Sequence, residues 1–257
     1  MRSTEQNGQH KGTAKKGAHD LKRLVLHIGT HKTGTSSFQE SLKKNAKTLI
    51  SCGIRPVRGP VFQDGKRVPG KNRVNHTHLT HLLLRPEIRS GARVRRTVPV
   101  LSPEQRLRQL DRLAERLSGL DEETLLISAE GLCFLREASE QALLRRFVER
   151  VGREVQTLVV FRKEGDWRAS WENQLMKQSN EIYQIAKTEA EDVSLLGDWY
   201  FDKTAIKEFW APFNLHQIEF EAHTNIVKPL YDAIGQSDGG LQTEVFKNRR
   251  RTIATLE

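Results

Sequence analysis

The nine residues Gly29-Thr30-His31-Lys32-Thr33-Gly34-Thr35-Ser36-Ser37 put an ammonium group and, directly after it, four hydroxyl side chains into one glycine-bounded stretch. The run before it, Leu24-Val25-Leu26-His27-Ile28, is short, apolar and branched, which predicts a buried strand. Beyond it, Phe38, Leu42, Ala46 and Leu49 recur at spacings of three and four, which predicts a helix. A strand that delivers a glycine-containing turn to a helix N-terminus leaves unpaired N–H groups and the positive end of the helix dipole aimed at one point. Phosphate is the natural guest of such a point, with the hydroxyls of Thr33, Thr35, Ser36 and Ser37 as further donors. In the loop that grips nucleoside triphosphates, G-x-x-x-x-G-K-[ST], the lysine follows the second glycine. Here Lys32 precedes Gly34 by two residues, so the loop is of another kind.

Two more strand ends carry chemistry. Glu154-Val155-Gln156-Thr157-Leu158-Val159-Val160-Phe161 reads as a strand that ends on Arg162, whose planar fork suits phosphate, and Ser170 lies eight residues on within the following helix. Thr124-Leu125-Leu126-Ile127-Ser128 reads as a strand running into Ala129-Glu130. Strands separated by helices imply right-handed crossovers and a mainly parallel sheet, with ligands gathered at its carboxyl edge. The fold class expected is therefore α/β, a P-loop-like three-layer arrangement of a mainly parallel central sheet flanked by helices. Among the helices, Ser102-Pro103-Glu104-Gln105 is a capping box with proline at the first helical position, followed by an apolar stripe from Leu107 to Leu117.

The Lys32 stretch resembles the 5′-phosphosulfate loop of sulfotransferases that use 3′-phosphoadenosine 5′-phosphosulfate (PAPS), and in particular bacterial carbohydrate sulfotransferase-like proteins opening on H-I-G-T-x-K-T-G-T-[ST]-S. The Arg162 and Ser170 spacing resembles the 3′-phosphate element of the same family. Ser170-Trp171-Glu172-Asn173-Gln174, Trp199-Tyr200-Phe201 and Phe209-Trp210-Ala211-Pro212-Phe213 extend the resemblance over most of Leu24 to Gly235. It implies a PAPS donor held by His31, Lys32, Thr33, Gly34, Thr35, Ser36, Ser37, Arg162 and Ser170, with no metal. It implies that Lys32 neutralises charge on the bridging and leaving oxygens. A base must also accept the acceptor's proton: Glu130 occupies the place of the catalytic histidine of the cytosolic sulfotransferases, and His76 is the alternative. The tryptophan that stacks on adenine in those enzymes would fall at Ser37, so the grip on the base differs.

Composition bounds the rest. At 257 residues, 37% hydrophobic, the chain suits one α/β domain over 21–257, preceded by a polar, lysine-rich tail over 1–20 read as disordered. No apolar run is long enough to span a membrane, and two cysteines, Cys52 and Cys133, read as small core residues of a protein in a reducing, cytoplasmic compartment. The net charge is +10, and the stretch from Ile54 to Pro99 supplies +9 of it, eleven Lys or Arg against Asp64 and Glu87. That stretch, rich in proline and glycine, reads as an irregular insert at about 54–100 with one short helix near His76 to Leu84, on the side that receives the acceptor. A carbohydrate or glycolipid acceptor follows from the resemblance, and the basic insert suits an acidic one. His76, His78 and His81 invite a metal reading, but no cysteine or carboxylate cluster accompanies them. The rival readings are a nucleotide-dependent kinase, opposed by the lysine's position and the lack of a strand-terminal Asp for magnesium, and a basic nucleic-acid-binding protein. Aromatics scarcely interleave the basic stretch, which disfavours the latter. The ending Phe246-Lys247-Asn248-Arg249-Arg250-Arg251 is read as a nucleotide contact or a tail.

Overall fold

The computed structural model describes residues 22–178, 180–237 and 240–245. The expected tail over 1–20 and the basic ending from Phe246 to Arg251 lie outside the described residues. Five strands, β1 (Arg23–His27), β2 (Ile54–Pro56), β5 (Thr124–Ser128), β6 (Glu154–Phe161) and β7 (Leu215–Glu219), form a sheet in the order β2-β5-β1-β6-β7, and every pairing in it is parallel. A hairpin of β3 (Gly59–Gln63) and β4 (Lys66–Arg73) stands apart.

The alternation of side chains along β1 fixes the layers. Leu24 and Leu26 enter the core shared with helices α5 (Pro103–Ser118), α6 (Ala138–Val151), α7 (Glu164–Gln178) and α10 (Lys203–Trp210). Val25 enters the opposite core, shared with α1 (Thr35–Lys44), α2 (Ala46–Ser51) and α11 (Val227–Ala233). Both faces of the strand are therefore apolar, as a doubly covered parallel sheet requires. The chain is a P-loop-like α/β protein of three layers. No described helix is long and apolar enough to cross a membrane.

The capping box at Ser102 forms as expected, with the Ser102 hydroxyl accepting from Gln105 N and the Gln105 side chain accepting from Ser102 N at 2.9 Å. The expected irregular insert is more ordered than its composition suggests. Residues 54–56 join the main sheet as edge strand β2. Asp64 and Gly65 both have positive φ, 49° and 73°, the two-residue turn that matches strand twist, and they close the β3–β4 hairpin. Helices α3 (Thr77–Leu83) and α4 (Gly91–Val94) follow. The helix expected from Phe38 to Leu49 breaks at Asn45, whose side chain turns back to Ser41 Oγ (3.0 Å) and Tyr231 Oη (3.2 Å). Cys133 is buried, but Cys52, at the end of α2, is exposed and does not serve the core.

Candidate active site

The loop between β1 and α1 is held by its own side chains. Thr30 Oγ1 donates to Val160 O at 2.6 Å, tying the loop to β6, and Thr33 Oγ1 donates to Thr30 O at 2.5 Å. Thr35 Oγ1 lies 3.4 Å from the same carbonyl. The hydroxyl protons of Thr33 and Thr35, expected as anion donors, are thus directed into the loop, and it is the backbone that presents donors outward. Gly34 caps α1 without a side-chain hydrogen bond; the Ser37 N–H donates to Gly34 O at 2.9 Å, and the N–H groups of Thr35 and Ser36 have no intrahelical acceptor. Its φ of 81° and an Ile226 Cγ2 that would overlap any Cβ disfavour other residues there. Lys32 is also left-handed, with φ 69°, a conformation that costs a non-glycine residue about 1 kcal/mol. Ser36 is exposed beside the loop and Ser37 is buried.

Parallel register brings the other two strand ends to the same edge. His27 pairs with Ser128 of β5 and with Leu158 of β6, so β6 runs three residues further and delivers Arg162 over the loop. Arg162 Nη1 donates to Lys32 O at 3.3 Å. Its guanidinium lies over the Phe220 ring, 5.2 Å from the centroid, and its Nε is 4.0 Å from Glu221. That Nε is buried and has no hydrogen-bond partner among the described residues. An anion at this spot would meet both a fork with donor capacity in hand and an uncapped helix start, so the residues present fit a phosphorylated ligand. Ser170 lies on the second turn of α7 and is partly buried.

Glu130 opens the 3-10 turn Glu130–Phe134 directly after β5. Only 17% of its side chain is accessible, and burial pushes its carboxyl up to about 7, with the Lys32 ammonium offsetting part of the rise. His31 Nε2 lies 3.9 Å from Glu130 Oε2. Burial, with a smaller contribution from Lys32, lowers the His31 ring to about 3, so the ring is neutral and this contact is not an ion pair near pH 7. The Tyr200 hydroxyl, held protonated by burial, is hydrogen-bonded to His31 Nδ1 at 2.8 Å, and the other ring nitrogen, Nε2, faces Glu130.

No protein-family model matches the chain. No curated protein matches it either. Among solved structures, it is similar to a sulfotransferase from Alicyclobacillus acidocaldarius. The identity is 14% and the TM-score 0.48, over 87% of this chain and 85% of that one.

His76 reaches the end of β5, where its backbone N–H donates to Ser128 O at 2.7 Å. It is fully buried as the N-cap of α3, where its Nδ1 accepts from Leu79 N at 3.1 Å, and burial lowers its pKa to about 3. Both nitrogens of His81 are engaged, with Thr77 O (2.8 Å) and Ser90 Oγ (2.6 Å), and His78 packs on Phe62. No group of three or more His, Cys, Asp or Glu among the described residues is placed to hold a metal. His27 is a core residue, bonded to Ser128 Oγ at 2.9 Å.

The sequence reading missed the nest in which His31 sits. Trp171, at 4.3 Å between ring centroids, and Phe134, at 5.3 Å, enclose the imidazole together with Tyr200. The ring expected to touch the donor lies among these aromatic side chains, with its Nε2 3.9 Å from Glu130 Oε2. Residues 171 and 200 carried a signal in the resemblance, but nothing in their spacing points to His31.

Proposed function

We propose that this chain is a sulfotransferase that takes PAPS as donor and a carbohydrate as acceptor. One observation carries the reading: the Lys32 loop and Arg162 meet at one edge of the sheet, with Arg162 Nη1 3.3 Å from Lys32 O, so two anion-binding elements face a single ligand. A nucleotide with phosphate at both its 5′ and 3′ positions is the chemistry that uses both.

In this reading the N–H groups from Thr33 to Ser36 hold the 5′-phosphate, and Arg162 with Ser170 holds the 3′-phosphate. The bond between sulfur and the bridging oxygen breaks as sulfur bonds to the acceptor oxygen. Lys32 stabilises the charge that develops on the leaving phosphate oxygen, and positioning with electrostatics carries most of the acceleration, as in phosphoryl transfer. Glu130, its pKa raised close to neutrality, accepts the acceptor's proton. His31, fixed by Tyr200, keeps that carboxylate in place.

Thermal shift tests the donor assignment. 3′-Phosphoadenosine 5′-phosphate at 100-fold its Kd should raise stability by about 2.7 kcal/mol in the presence of EDTA. A larger shift from ATP that requires magnesium would instead favour a kinase.

A further inference from the structure

A pocket of about 440 Å³ opens beside the loop, between the outer face of α1 and the end of β4. It begins at Ser36, next to the uncapped helix start, and its wall includes Gln39 and Asn75. Gln39 Nε2 donates to Ser128 Oγ at 3.1 Å, and Asn75 bridges to Ser128 in parallel register. The pocket therefore abuts the end of β5 two residues before Glu130, where an acceptor would approach its base.

Three cations line it: Lys43, Arg58 and Arg73, against Glu40 as the carboxylate of the described lining. None of the three cations has a carboxylate within ion-pair distance among the described residues, whereas other basic residues of the insert are spent on structure. Arg85 binds Glu140 at 3.4 Å, and Arg93 donates to the carbonyls of Leu84 and Ile88 at 2.9 and 2.7 Å. Arg73 Nε is buried and lacks a hydrogen-bond partner among the described residues; burial, and to a lesser degree the nearby Arg95, disfavours its charge. A pocket that concentrates unpaired guanidinium groups and amide side chains is poorly suited to a flat apolar acceptor and well suited to a hydroxyl-rich anion.

We infer that this pocket binds an acidic glycan, with Arg73 and Arg58 gripping a carboxylate or sulfate on a sugar adjoining the one presented to Glu130. The inference rests on the transferase reading for its role, but binding itself can be measured without donor.

Calorimetric titration of the full chain with a hexasaccharide containing glucuronic acid, with its carboxyl-reduced counterpart, and with that counterpart sulfated, separates the cases. The two acidic forms should bind at least tenfold tighter than the neutral one, and a preference between them tells carboxylate from sulfate. Arg73→Gln should remove at least tenfold of the acidic preference, and the exposed Arg58→Gln, which leaves the fold unaltered, should act in the same direction. Equal affinity for the acidic and neutral forms, or acidic binding indifferent to both substitutions, would overturn the inference. Binding of 3′-phosphoadenosine 5′-phosphate, titrated in parallel, should be unchanged in both variants; its absence in the wild-type chain would count against the donor reading and leave the glycan result standing.

Discussion

Lys32→Ala is expected to lower turnover about 1,000-fold, the loss typical of removing a preorganised charge from developing negative charge in a water-poor site. The substitution isolates the ammonium group. Alanine meets the same left-handed backbone that Lys32 already adopts, at φ 69°, and the contact with Arg162 is made by the Lys32 carbonyl, which alanine retains. The melting temperature should therefore change little while single-turnover transfer from labelled donor collapses. A second effect identifies the cause. The Lys32 charge holds the Glu130 pKa down against burial, so its removal should move the pH at which residual activity appears upward from about 7. Turnover within tenfold of wild type would show that Lys32 is not the group that stabilises the leaving oxygen.

Glu130→Gln is expected to reduce kcat by a factor of about 100 to 10,000, the usual contribution of a positioned base, with donor affinity unaltered. Wild-type kcat should rise as Glu130 ionises through about pH 7 and level off above it, and the variant's residual rate should be flat. Stability provides a readout independent of catalysis. The carboxyl is raised from 4.5 to about 7 in the folded protein, so the folded state favours its neutral form; that stabilisation is complete below pH 4.5 and lost as pH rises through 7. Glutamine is neutral throughout, so in urea denaturation the variant should match the wild type near pH 4 and exceed it at pH 8. An unchanged rate would remove Glu130 as base. The base would then be sought at His76, the buried cap of α3 that bonds Ser128 two residues before Glu130.

The elements that position these groups were legible wherever one physical signal dominated. β1, β5 and β6 are apolar runs bounded by polar residues, and α5 announces itself by its capping box. The convergence of Lys32, Glu130 and Arg162 followed from reading three strand ends as one edge, because a parallel sheet places its carboxyl ends together. Shorter elements escaped. Three-residue β2 ends on proline and has no periodicity to read, and the abundance of proline and glycine in the basic stretch masked the hairpin that Asp64-Gly65 closes. The histidines show the limit for side chains. His31 ends in an aromatic nest beside Glu130 and His76 as a helix cap, because Trp171 and Tyr200 arrive at His31 from elements more than a hundred residues away.

The most direct test of the donor site is a calorimetric comparison of 3′-phosphoadenosine 5′-phosphate with adenosine 5′-phosphate, which differ only in the 3′-phosphate assigned to Arg162. Each charge-assisted hydrogen bond is worth about 1.5 to 3 kcal/mol, so the doubly phosphorylated nucleotide should bind at least tenfold tighter to the wild-type chain, and Arg162→Ala should bring the two affinities together. Equal affinities in the wild-type chain, or a preference for the 3′-phosphate that survives the loss of Arg162, would contradict the assignment.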